Sequence, residues 1–89
     1  MRLINIGFGS FIAAERLISI LSPDSAPIKR MVQDSRERGL LVDASYGRKT
    51  KSVLVTDGGY LFLSALTPDV VAARAGSVVE GGDEEDAQA

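Results

Sequence analysis

A chain of 89 residues with neither cysteine nor histidine excludes disulfides, thiolate nucleophiles, imidazole acid–base chemistry and the usual zinc sites. One domain is all that this length supports, and so small a body buries little apolar surface alone, which favours self-association. The net charge of −2 conceals an asymmetry: residues 1–76 carry ten basic and seven acidic side chains, whereas 77–89 carry five carboxylates and no cation, so a weakly basic body bears an acidic tail.

Leu3, Ile4 and Ile6 predict an apolar strand that stops at a turn over Gly7-Phe8-Gly9. Between Phe11 and Leu21 the helix-forming Ala13, Ala14 and Glu15 precede a run suited to a buried strand. This segment reads as a short strand or turn, then a strand from about Arg16 to Leu21. Pro23, Asp24 and Ser25 end it and offer acceptors to cap a helix starting near Ala26, with Pro27 in its first turn. Ile28, Met31 and Val32 fall on one face of that helix, cations and carboxylates cover the remainder, and Gly39 closes it.

Leu40 to Ser45 and Lys51 to Asp57 read as strands, and Asp57-Gly58-Gly59 as a tight hairpin into a third, Tyr60 to Leu66. The three form an antiparallel meander in this reading. Thr67 and Pro68 open a short helix that turns Val70, Val71 and Ala73 to the core. Beyond Gly76 the composition predicts a disordered acidic tail, 77–89. The expected architecture is an α+β domain over 1–76, with a small antiparallel sheet, one long helix and one short one. No apolar run reaches spanning length and no signal segment is evident, so a cytoplasmic protein without membrane contact is expected.

Arg48, Lys49 and Lys51 follow Gly47 and precede an apolar strand, so they project from a loop or strand edge, where three cations suit phosphate. On spacing alone, a solvated edge strand protected by its lysines is the favoured account of these residues. A surface ion pair suffices for Arg16. Arg16, Lys49 and Lys51 read as the cations with the least local neutralisation. Lys29, Arg30, Arg36 and Arg38 are interspersed with Asp34 and Glu37, and Asp34 can pair with Arg30 or Arg38, which favours a solvated or subunit-facing helix over one that reads a groove. The glycines make no nucleotide-binding fingerprint and the carboxylates no metal-ligand spacing. No cofactor, metal, small-molecule ligand or enzymatic activity is expected.

Asn5-Ile6-Gly7-Phe8-Gly9, the stretch SPDSAPIKRMVQDSRERG from Ser22 to Gly39, Leu41 to Tyr46 and the basic cluster Gly47 to Lys51 together resemble the RemA family of small bacterial regulators, over about residues 3 to 73. The resemblance implies a sheet arrangement of the LytTR type, a ring-shaped homo-oligomer and a nucleoid-associated regulator that binds duplex DNA and controls biofilm matrix genes. It transfers DNA contact to Arg16, Arg48, Lys49 and Lys51, with lysine at two places where the family has arginine. Lysine keeps the charge but loses the bidentate fork, which favours phosphate contact over base reading. The wording SPDSAPIKR further implies subunit packing at Pro27, Ile28, Lys29 and Arg30. Two other readings use the same residues: an RNA-binding protein with Phe8, Tyr46 or Tyr60 as stacking surfaces, and a structural oligomer or adaptor whose basic patch receives its own acidic tail.

Overall fold

The computed structural model describes residues 1–76; the acidic tail expected over 77–89 lies outside the described residues. Strand β1 (Leu3–Gly7) turns through Phe8 and Gly9 into β2 (Ser10–Ala13), which pairs with it antiparallel. A 3₁₀ turn over Ala14–Arg16 leads to β3 (Leu17–Leu21), followed by α1 (Ala26–Glu37), β4 (Leu41–Asp43), β5 (Ser52–Thr56), β6 (Leu61–Ser64) and α2 (Pro68–Arg74). The domain is α+β, as the sequence predicts. The segment Phe11 to Leu21 resolves into strand, turn and strand, with Arg16 ending the turn rather than opening β3.

The second sheet has four strands in the order β3-β5-β6-β4. This corrects the antiparallel meander. β5 and β6 form the expected hairpin, but β4 lies outside β6 and parallel to it, pairing Leu41 with Leu61 and Asp43 with Leu63. The physical reason is the connection: residues 44–51 are too many for a tight turn and enough to cross two strand spacings, roughly 10 Å. The loop passes over the end of β6, where the Ala44 amide donates to the Leu63 carbonyl at 2.9 Å and the Lys51 amide to the Ser64 carbonyl at 2.8 Å.

Alternating side chains divide the sheet's two faces. Val53, Leu61 and Leu63 meet Ile28, Met31 and Val32 of α1, the expected helix face, which also buries Ser35. On the other face Leu54 packs with Ile4, Ile6, Ile12 and Val71, so the β1–β2 hairpin and α2 form the third layer. Leu54 is fully buried and its burial is worth roughly 1.5–3 kcal/mol. Leu17 and Ile20 share that face despite odd spacing because β3 bulges between Leu17 and Ser19. In α2 the inward residue is Val71, joined by Ala75 at the C-cap; Val70 and Ala73, expected inside, are exposed.

The ends of α1 follow its sequence. Ser25 Oγ accepts from the Ile28 amide at 3.3 Å with Pro27 in the first turn. At the other end Gly39, at φ +74°, donates to the Arg36 carbonyl and Leu40 donates to Ser35, the paired bonds of a Schellman motif.

Ser64 joins the layers. Its buried hydroxyl donates to the Ile6 carbonyl at 2.8 Å, where the β1–β2 register shifts, and accepts from the Leu66 amide at 3.0 Å. Ser64→Ala leaves both backbone groups without this partner, and a loss of about 1–3 kcal/mol is expected in urea unfolding. An unchanged midpoint would mean that the Ile6 carbonyl is satisfied otherwise.

Candidate nucleic-acid interface

The loop 44–51 is built by its own short-range bonds. The Ser45 hydroxyl and amide both donate to Asp43 Oδ1, the amide at 2.9 Å, and the Arg48 amide returns to the Ser45 carbonyl at 3.0 Å. That last bond closes a turn whose central residues, Tyr46 and Gly47, have φ of +52° and +81°, the signs that a type I′ turn requires. The β1–β2 hairpin makes the same kind of turn: Phe8 and Gly9 between the paired Gly7 and Ser10 have φ of +53° and +78°. Glycine fits the second position of each. A bulky aromatic at the first costs roughly 1–3 kcal/mol.

These two strained residues meet. The Phe8 and Tyr46 ring centroids lie 5.6 Å apart at 68°, the Arg48 guanidinium stands 5.4 Å from the Phe8 centroid, and Ser10 Oγ lies 3.1 Å from the Tyr46 hydroxyl. Both rings are more than half exposed. Phe8, Arg48, Lys49 and Lys51 line a shallow depression floored by Ala65 and Leu66. Lys49 and Lys51 continue into a neighbouring one with Ser22, Asp24 and Thr67. Arg48, Lys49 and Lys51 are exposed, and none forms an ion pair among the described residues.

Arg16 is elsewhere. It binds Asp57 at 3.3 Å, beside Phe11, Tyr60 and Phe62 at the other end of the sheet. Leu17 faces Thr56 and Leu21 faces Val53, so the six residue steps from Lys51 to Asp57 separate Arg16 from the basic loop by about 20 Å. The expectation that Arg16 is among the least neutralised cations is therefore corrected. A contact across the β3–β5 pair supplies the carboxylate, which adjacent sequence did not reveal. Of the four residues singled out by the resemblance, one subunit gathers Arg48, Lys49 and Lys51 and leaves Arg16 at the opposite end.

The residues assigned to subunit packing open α1. Pro27, Lys29 and Arg30 are exposed, whereas Ile28 packs against the core and offers little outward surface. Asp34 pairs with Arg38 at 3.2 Å rather than with Arg30. The aromatic pairing was not read from sequence; the dipeptides Phe8-Gly9 and Tyr46-Gly47 signal the two turns but not their contact. No cluster of three or more metal-ligating side chains occurs among the described residues, and no helix there is long and apolar enough to cross a membrane.

The hydroxyl of Ser45 and then its amide, aided by the charge of Arg36, hold the Asp43 carboxyl below the ordinary carboxylate value against a small opposing effect of burial. A depressed folded-state value stabilises fully above the unfolded pKa of about 3.9 and is lost as pH falls through the folded value. The thermal midpoint of the parent should therefore fall more steeply than that of Asp43→Asn as pH drops from about 5 through the folded-state value. Parallel curves would show that the Asp43–Ser45 bonds do not stabilise the fold.

The comparisons with known proteins agree with one another. The family model described as extracellular matrix regulatory protein A-like matches residues 3–75. The extracellular matrix regulatory protein A of Bacillus subtilis is 60% identical over 74 residues, covering 83% of each chain. A protein of Dictyoglomus turgidum named for a regulatory role is 55% identical over 86 residues, 97% of this chain and 96% of its own. A Synechococcus protein named likewise is 57% identical over 84 residues, 94% of each. With the match running from β1 through α2, this chain belongs to the RemA-like family of regulatory proteins.

Proposed function

We propose that this protein is a DNA-binding transcriptional regulator, cytoplasmic and nucleoid-associated, that holds duplex DNA against basic loops repeated around a ring-shaped homo-oligomer and governs extracellular matrix genes. The observation that carries the reading is the set of three exposed cations, Arg48, Lys49 and Lys51, without acidic partners among the described residues, on a loop pinned at both ends. A rigid display of positive charge suits phosphate oxygens, and lysine suits contact without base reading. The matrix-gene assignment rests on the name of the Bacillus subtilis relative.

One subunit supplies too few contacts for tight binding at physiological salt, because each neutralised phosphate contributes only about one counterion to the driving force. Repetition removes that limit. Two axes of the subunit measure 36 and 32 Å, close to the roughly 34–36 Å of one helical turn, so successive subunits can present the loop to the same side of the duplex. The exposed Leu3, Phe11, Ile18 and Tyr60 leave apolar surface that association would cover. Arg16 lies on that apolar end, and its proposed role in DNA contact rests on the family resemblance.

Lys49→Ala should lower affinity for duplexes of unrelated sequence and reduce the salt slope by about one unit for each phosphate that the complex no longer neutralises. Its particle mass and thermal midpoint should match the parent's. Arg36→Ala, whose guanidinium is occupied by Gln33 on the α1 surface, should change binding less. Loss of binding in Arg36→Ala with Lys49→Ala unaffected would move the DNA-facing surface to the helix. A monomer by light scattering at micromolar concentration would remove the ring.

A further inference from the structure

Phe8 stands at a backbone position that does not favour an aromatic. The first central residue of a type I′ hairpin turn favours asparagine, aspartate or glycine, and a bulky side chain there is a conformational outlier. The ring is not recovered for the core: it is 52% exposed, and Tyr46, its neighbour, is 63% exposed. Tyr46 occupies the equivalent position of a second aromatic–glycine turn, also at positive φ. Two separate turns thus hold an aromatic residue in a disfavoured backbone conformation, and the two side chains meet at the surface.

What surrounds the pair indicates its ligand. Arg48 lies over the Phe8 ring, and Lys49 and Lys51 complete the rim of the same depression, so any occupant meets positive charge and an apolar projection together. The two rings stand at 68° and do not form one flat platform of the kind on which successive unstacked bases lie. A projecting ring braced by a second ring and flanked by cations has the form of a wedge. Wedges of this type enter between base pairs from the minor groove, while the cations hold the phosphates on either side.

We infer that Phe8, braced by Tyr46 and Arg48, is an apolar wedge that partially unstacks a base step of the bound duplex and so favours easily deformed sequence. The inference rests on the DNA-binding reading above and adds to it a source of selectivity that needs no hydrogen bond to a base. Pyrimidine–purine steps such as TA open at low cost and A-tracts resist. The lysines then provide affinity on any sequence, and Phe8 sorts sequences by stiffness.

The test uses the full chain and two duplexes of roughly 30 base pairs, about three turns: one with 2-aminopurine at a central TA step, the other with an A-tract in its place. The parent should brighten the 2-aminopurine and bind the TA duplex about tenfold tighter than the A-tract duplex, a difference within the range that deformation energies supply. Phe8→Asn, which suits the left-handed backbone, should abolish the brightening and bring the two affinities together, with the salt slope unchanged because every cation still meets its phosphate. Phe8→Leu should keep most of both signals, since leucine also serves as a wedge. Brightening and preference that persist in Phe8→Asn overturn the wedge and leave the DNA-binding reading intact. A parent that binds no duplex overturns both. Should Phe8→Asn lose affinity for a single-stranded oligonucleotide while duplex distortion remains, the cluster is a stacking platform and the wedge is again overturned.

Discussion

Strand β6 separates β4 from β5, and the chain that joins those two strands must cross over its end. That constraint shapes the candidate surface. Ala44 and Ser45 are buried where the crossing begins, and beyond them the side chains of Tyr46, Arg48, Lys49 and Lys51 face outward. Because the crossing is short, its backbone is fixed at Leu63 and Ser64. Ser64 then connects it to the hairpin through the Ile6 carbonyl, and the Phe8 tip comes to rest against Tyr46 and Arg48. One buried hydroxyl thus registers two surface elements that are far apart in sequence.

Charge is distributed to match. The two ion pairs among the described residues, Arg16–Asp57 and Arg38–Asp34, involve largely exposed side chains, and such pairs are worth at most about 1 kcal/mol. Their significance is positional: they lie at the far end of the sheet and on the surface of α1, and the cations of the crossing loop form no ion pair among the described residues. The pairing does not by itself keep Arg16 from a phosphate, since so weak a bond is readily exchanged. The separation of about 20 Å along β5 is what prevents Arg16 and Lys49 of one subunit from serving as a single compact site.

Much of this was legible in the residues. The Ser25 cap, Pro27 and Gly39 delimit α1, and Ile28, Met31 and Val32 define its buried face, because capping and helical periodicity are local properties. Strand order was not legible. Leu40 to Ser45 reads as a strand whichever neighbour it takes, and its place beside β6 depends on the path of the crossing loop and on packing against α1. The same distinction separates the basic cluster, visible as Gly47 to Lys51, from the partner of Arg16, which is 41 residues away in sequence. The Phe8–Tyr46 contact required the tertiary fold, although each left-handed turn was foreshadowed by an aromatic followed by glycine.

In the proposed function the crossing loop and the hairpin tip, rather than the charged face of α1, form the surface that meets DNA. Amide hydrogen exchange of the full chain with and without duplex DNA tests it most directly, because it reports position without altering a residue. Exchange should slow over residues 44–51 and 7–10 on addition of duplex, with the exposed face of α1 from Lys29 to Arg38 unchanged. Protection confined to α1, with 44–51 and 7–10 unaffected, would contradict the claim.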